Sequence, residues 1–138
     1  MINIVAWARL DALSVRADFL DGFFKIIGRL VDKTKYPLFF NEFYLNGEVK
    51  NFDCAKLLDE VVLIEQDLRR IPVNIKLVES EEDLIKVDNF KKYLDESANN
   101  MADLFLNPNK ENLFEVLKFN IDYAIKKNAP VMVKYYAM

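Results

Sequence analysis

Apolar residues recur in this chain at two spacings, one typical of β-strands and one typical of α-helices. Over residues 2–10 they alternate with their neighbours and include β-branched side chains, which predicts a strand. Over residues 15–31 they return at every third or fourth position, opposite charged residues, which predicts an amphipathic helix. Gly22 and Gly28 lower the helix propensity of that segment, so we expect them to mark close packing against a neighbouring element.

Aromatic residues crowd the following segment, residues 36–44. Pro37 near its start and Asn46-Gly47 after its end predict a short helix, and a strand is the alternative. We expect these aromatic side chains, like that of Trp7, to lie in the core rather than on a binding platform. The aromatic residues concerned are Tyr36, Phe39, Phe40, Phe43 and Tyr44.

The middle of the sequence contributes a helix and a strand. Asp53 has the side chain of a helix N-cap, and apolar residues follow it at helical spacing until Ile71-Pro72 ends the helix. After the proline, Val73, Ile75 and Leu77 alternate with polar residues, which predicts a strand with one solvated face.

Three helices and a closing strand are predicted for the C-terminal part. We expect short helices around residues 90–94 and 97–105. Asn107-Pro108-Asn109 then supplies the cap and first turn of a long helix with one apolar stripe. Alternation over residues 131–135, after Pro130, predicts the closing strand.

Together these elements predict an α+β fold. We expect one domain over residues 1–138, in which a small sheet of three or more short strands packs with four or more helices. With 138 residues, 52% of them apolar, the chain can bury a sufficient core without a metal or a disulfide.

Composition excludes most catalytic machinery, because histidine is absent and cysteine occurs once, at Cys54. The chain cannot build nucleophile pairs with His, His-based proton relays, zinc sites or disulfides. A site for a hard cation, made of Asp and Glu side chains, remains possible. No P-loop or other catalytic motif is present, so we expect no enzyme, no cofactor and no metal. We expect Cys54 to be a buried apolar residue; the alternative is a thiolate activated by a helix start.

The N-terminal residues and the hydropathy of the chain indicate its cellular compartment. We expect no secretory signal, because charged residues interrupt the first apolar run, and no segment reaches the roughly 20 apolar residues of a membrane span. A single cysteine is what a reducing compartment favours, so we expect a cytoplasmic protein.

Acidic residues are concentrated in one segment. Residues 79–103 hold eight acidic residues against three lysines, a net charge of −5, whereas the whole chain carries −3. This segment disfavours nucleic acid and favours a basic protein partner, although residues 79–83 alone also suit a solvated face or a helix cap. The candidate binding residues are Glu79, Glu81, Glu82, Asp83, Asp88, Asp95 and Glu96, with Asp59 and Glu60 as a second choice.

Several short motifs, in their order along the chain, resemble one known family. They are Phe23-Phe24, Glu82-Asp83-Leu84, Met101-Ala102-Asp103-Leu104-Phe105, Leu113-Phe114-Glu115-Val116-Leu117 and Ala124. In these motifs the chain resembles immunity protein family 70 of bacterial polymorphic toxin systems.

The resemblance implies a small cytoplasmic antidote without catalytic activity. Such a protein binds the C-terminal domain of a cognate toxin, which contact-dependent growth inhibition can deliver, and blocks its active site or substrate surface. The acidic candidate residues would then bind the toxin, and a basic nuclease would suit them. The alternative is an adaptor or structural subunit that self-associates or joins a protein partner through exposed aromatic residues and an unpaired strand edge.

Overall fold

The computed structural model describes residues 2–6, 13–15 and 17–135. Its strands are β1 (Ile2–Ala6), β2 (Leu13–Val15), β3 (Glu48–Val49) and β4 (Val131–Tyr135). They form an antiparallel sheet in the order β2-β1-β4-β3, so β3 lies at one edge. β1 and β4 come from opposite ends of the chain and pair with Ile2 opposite Tyr135 and Ala6 opposite Val131.

The helical elements follow one another between the strands. They are α1 (Ala17–Leu30), a π-helix (Leu38–Leu45), α2 (Asn51–Arg69), α3 (Ile75–Glu79), α4 (Glu82–Ile85) and α5 (Leu113–Lys126), with 3₁₀ turns at Lys33–Lys35 and Phe90–Tyr93. The predicted α+β class is confirmed. The three long helices predicted along the chain are confirmed as α1, α2 and α5, although Val15, the predicted start of the first, belongs to β2. The predicted closing strand is β4, and β1 falls within the predicted first strand, whose residues 7–10 lie outside the described residues.

Phenylalanine rings from different elements form the centre of the core. Phe23 of α1 lies 5.2 Å from Phe105 and 5.4 Å from Phe114, measured between ring centroids. Its neighbour Phe24 lies 4.8 Å from Phe39 of the π-helix. The predicted core role is confirmed for Tyr36, Phe39, Phe40 and Phe43, which are buried, and for Tyr44, which is half-buried; Trp7 lies outside the described residues.

α2 and α5 pack against each other through a buried carboxylate. The side chain of Glu65 on α2 is 6% exposed and accepts a hydrogen bond from Lys118 of α5 at 2.7 Å. Arg69, one turn further along α2, lies 3.2 Å from the same carboxylate. A buried carboxylate requires such cations, because an unpaired charge in the interior is strongly destabilising.

Two predicted elements are wrong. The strand predicted from Val73, Ile75 and Leu77 is the short helix α3, because the Asn74 side chain accepts a hydrogen bond from the Leu77 backbone N–H at 3.0 Å and caps it. The helix predicted for residues 97–105 is an irregular segment, since its backbone bonds run to distant residues; Met101 N–H, for example, donates to the Ile71 carbonyl at 2.9 Å.

Helix ends also differ from the predicted ones. α2 begins at Asn51, where Lys50 occupies the cap position and gives no side-chain cap, so Asp53 lies in the first turn. The cap of α5 is Asn112, whose side chain accepts from the Glu115 N–H at 3.1 Å. The turn that was predicted as this cap, Asn107-Pro108-Asn109, precedes it and does not cap the helix.

The aromatic segment is the predicted helix, in π form, and Gly47 beyond its end has a left-handed φ of 75°.

Candidate functional site

Two acidic residues of the predicted site hold α4 against α1. The side chain of Glu81 is 6% exposed, lies 3.6 Å from the Arg29 guanidinium and accepts a hydrogen bond from the Asp83 N–H at 3.4 Å. Asp83 pairs with Lys25 of α1 and lies 3.7 Å from Lys86. The hydrogen bond from Lys25 is the main cause that holds the pKa of Asp83 below its ordinary value. Glu81 and Asp83 therefore anchor α4.

The other acidic residues of this region reach the surface. Glu79, Glu82, Asp88 and Glu96 are exposed and Asp95 is half-buried, and we call these five residues the acidic face. Lys91 lies 3.9 Å from Glu79, so the surface also carries positive charge. The Asp95 carboxylate accepts hydrogen bonds from the Ser97 hydroxyl at 2.7 Å and the Ser97 N–H at 2.9 Å, which lower its pKa.

Two depressions beside the acidic face meet at Phe90 and Lys91. The first, of about 250 Å³, is lined by Val73, Ile75, Phe90, Lys91, Leu94, Asp95, Glu96 and Leu104. The second, of about 610 Å³, is lined by Ile85, Val87, Asp88, Asn89, Phe90, Lys91 and Lys92. Ile75 and Ile85 are 40% and 48% exposed. The first depression is mainly apolar within a charged rim, which is the anatomy of a protein–protein interface. The second also carries polar residues, including Lys91 and Lys92.

The second-choice residues lie apart from these depressions. Asp59 is exposed on α2. Glu60 is half-buried and accepts hydrogen bonds from the Phe39 N–H at 2.9 Å and the Leu38 N–H at 3.4 Å, at the start of the π-helix. Burial is the main cause that raises the pKa of Glu60, and the two backbone bonds oppose it. Glu60 therefore caps a helix, while Asp59 is free to contact a partner.

The described part of the chain offers no metal site and no reactive thiol. No group of three or more cysteine or carboxylate residues in ranges 2–6, 13–15 and 17–135 could hold a metal ion. Cys54 is buried as predicted, and its thiol donates to the Lys50 carbonyl at 3.4 Å. Burial raises the pKa of Cys54, so its thiol form is favoured. Within the same ranges, every helix is too short or too polar to cross a bilayer.

Two exposed aromatic residues are not predicted by the sequence patterns: Phe119 of α5, which is 55% exposed, and Phe52. Phe52, in the first turn of α2, is 76% exposed. It falls outside the helical stripe that α2 buries, which comprises Cys54, Leu57, Val61, Ile64, Glu65 and Leu68. That departure from the stripe was visible in the sequence and would have identified Phe52 as a candidate surface contact.

Comparison with known proteins identifies the family. A family model described as Immunity protein 70 matches residues 14–133, which is most of the chain. No curated protein and no solved structure matches the chain. The match confirms the resemblance seen in the sequence motifs, and the chain belongs to the Immunity protein 70 family.

Proposed function

We propose that this immunity protein neutralises the C-terminal domain of its cognate toxin by binding it and covering its active site or substrate surface. Family membership implies a toxin as partner. Binding alone is sufficient for this mechanism, and a chain without histidine and with one buried cysteine suits it. We propose no reaction catalysed by the chain itself.

The observation that carries this proposal is the acidic face together with the two depressions beside it, whose apolar lining includes Ile75, Ile85 and Phe90. Exposed carboxylates at Glu79, Glu82 and Asp88 suit the lysine and arginine residues of a basic toxin. A nuclease is the toxin class that we favour, because its substrate cleft carries cations for phosphate groups, and carboxylates can occupy those positions. Glu81 and Asp83 support the face indirectly by anchoring α4.

The proposed setting is the cytoplasm of a cell that receives the toxin through contact-dependent growth inhibition. An antidote that works by occupancy must meet the toxin where the toxin acts, and a nuclease acts on cytoplasmic nucleic acid. The chain has the buried, unpaired cysteine expected of a reducing compartment.

Co-expression with the toxin domain encoded immediately upstream tests the function. We expect the chain to rescue growth and to bind the purified toxin domain in calorimetry. No rescue, together with no binding at micromolar concentrations, would overturn the proposal. Light scattering of the isolated chain tests the adaptor alternative, which requires self-association or another protein partner.

Charge reversal tests the assignment of the acidic face. The triple variant Glu79→Lys, Glu82→Lys and Asp88→Lys should slow association with the toxin domain at least tenfold at low salt and weaken its salt dependence. Asp122→Lys is a single-site control, because Asp122 is a partly exposed carboxylate of α5, paired with Lys126 at 2.8 Å, that lines neither depression. Equal association rates for the triple variant and the control would exclude this face, and Asp59→Lys would be the next variant to measure.

A further inference from the structure

A groove at the start of α2 forms a second surface suited to a protein partner. It has a volume of about 390 Å³ and lies between the π-helix, β3 and the first turn of α2. Its apolar lining comes from Leu38, Val49 and Phe52. We call it the Phe52 groove.

Phe52 gives this groove an apolar anchor that the fold does not use. The ring is 76% exposed, whereas Val49 beside it is 2% exposed and belongs to the core. Exposing an aromatic ring to water is unfavourable, and buried aromatic residues supply much of the binding energy at protein interfaces. Phe52 therefore has more to contribute to a complex than to the stability of the chain.

Carboxylates surround the anchor. Glu42, Glu48 and Asp53 line the groove together with a single cation, Lys50. In the described part of the chain, none of these four residues takes part in an ion pair, and Glu42 accepts one hydrogen bond from the Asn46 amide at 3.0 Å. The groove is thus negatively charged, with carboxylates available to a cationic ligand.

We infer that the Phe52 groove receives a segment of the toxin polypeptide in which an apolar side chain lies beside lysine or arginine. This inference rests on the proposed function, which supplies the toxin as partner. Three carboxylates disfavour nucleic acid and anionic membrane surfaces as occupants, because both would add negative charge. A second copy of the chain, docked about a two-fold axis through this groove, would bring the same carboxylates together and be repelled.

The Phe52 groove can be tested independently of the acidic face. The groove lies at the first turn of α2, whereas α3, which contributes to the acidic face, follows the last turn of the same helix. α2 spans residues Asn51–Arg69, and a helix of that length extends about 28 Å. A substitution in the groove therefore leaves the acidic face unchanged.

Binding of the purified upstream toxin domain to Phe52→Ser and Glu48→Lys variants tests the inference. We expect each variant to bind at least tenfold more weakly than the wild type, and Glu48→Lys to weaken the salt dependence as well. Leu63→Ser is the matched control, because Leu63 is a 49% exposed apolar residue of the same helix that does not line the groove. Thermal unfolding should show that all three variants remain folded, since the substituted side chains are largely exposed.

The outcomes separate the inference from the proposed function. Tight binding by the wild type and equally tight binding by Phe52→Ser and Glu48→Lys would overturn the groove assignment and leave the proposed function intact. No binding by the wild type would overturn both. A concentration-dependent mass in light scattering that Phe52→Ser abolishes would identify a second copy as the occupant and would also overturn the inference.

Discussion

Leu84 of α4 occupies the space that a side chain at Gly22 of α1 would need. A Cβ atom on Gly22 would lie 2.5 Å from Leu84 Cγ and 3.1 Å from the Leu84 backbone nitrogen. The prediction that Gly22 marks close packing is therefore confirmed. Because the two helices approach this closely, Asp83 can reach Lys25 across the contact.

Replacing Gly22 by alanine should destabilise the chain. The added methyl group displaces Leu84, and overpacking of this kind costs about 1–3 kcal/mol. A Cβ only 2.5 Å from Leu84 Cγ places the cost toward the upper end, above the gain of about 1 kcal/mol in helix propensity. Chemical denaturation should show a lower midpoint for Gly22→Ala. Gly28→Ala is the control, because a Cβ there meets only the flexible Lys33 side chain, at 3.0 Å, and its stability should be equal to or above that of the wild type. Equal stability of both variants would contradict the packing argument.

Glu60 should stabilise the folded chain through its hydrogen bonds rather than through its charge. Glu60→Ala leaves the Phe39 N–H without its acceptor and should lower the free energy of unfolding by about 1–3 kcal/mol. Glu60→Gln keeps an acceptor oxygen and removes a partly buried charge, so it should be as stable as the wild type or more stable at neutral pH.

The raised pKa of Glu60 also determines the direction in which the stability of the chain changes with pH. The folded chain binds this proton more tightly than the unfolded chain, so the wild type should gain stability relative to Glu60→Gln as the pH falls through the folded pKa. Denaturation curves of both variants between neutral and mildly acidic pH measure this difference. A difference that moves in the opposite direction would contradict the assignment of the shift to burial.

The Lys25–Asp83 pair should have the opposite pH dependence. Hydrogen bonding to Lys25 lowers the pKa of Asp83, so the contribution of the pair is present above the unfolded pKa of about 3.9 and is lost as the pH falls through the folded pKa. Lys25→Met should be less stable than the wild type at neutral pH, and this difference should vanish in strong acid. A difference that persists in strong acid would assign it to packing of the side chain instead.

The phenol of Tyr36 should stay protonated in alkaline solution. Tyr36 donates a hydrogen bond to Asp67 at 2.6 Å, and burial, followed by Asp67, raises the pKa of Tyr36 to about 12. Its contribution to stability should therefore be lost as the pH rises from the ordinary tyrosine pKa of about 10 through that value. Tyr36→Phe should unfold more easily at neutral pH by about 1–3 kcal/mol. Loss of a step near pH 12 from the ultraviolet titration of Tyr36→Phe would identify this group.

Periodicity predicts the long helices of this fold and the strands β1 and β4, and it fails at the short helix α3 and at residues 97–105. α1 and α5 repeat their apolar spacing over several turns, which only a helix satisfies. Val73, Ile75 and Leu77 are too few to distinguish a strand from a helical turn, and the Asn74 cap decides in favour of the helix. The segment around Met101 depends on a backbone bond to Ile71, and such a tertiary partner leaves no local signal.

The same limit applies to the candidate site. Charge counting identifies the acidic segment, but it assigns equal weight to Glu79 and Glu81. Only the fold distinguishes them, because Glu81 is buried and paired with Arg29, far away in the sequence, whereas Glu79 is exposed. Phe52 differs from these two residues, because its position off the buried stripe of α2 already indicates exposure in the sequence.

Cys54 has a practical consequence because it is the single thiol of the chain and is completely buried. An alkylating reagent can reach the sulfur only when α2 separates from the backbone carbonyls of Val49 and Ala129. The labelling rate therefore measures how often the contact of α2 with Val49 and Ala129 opens, and no cysteine has to be introduced into the chain. A bound toxin domain that stabilises the folded chain would slow the labelling in proportion to its affinity.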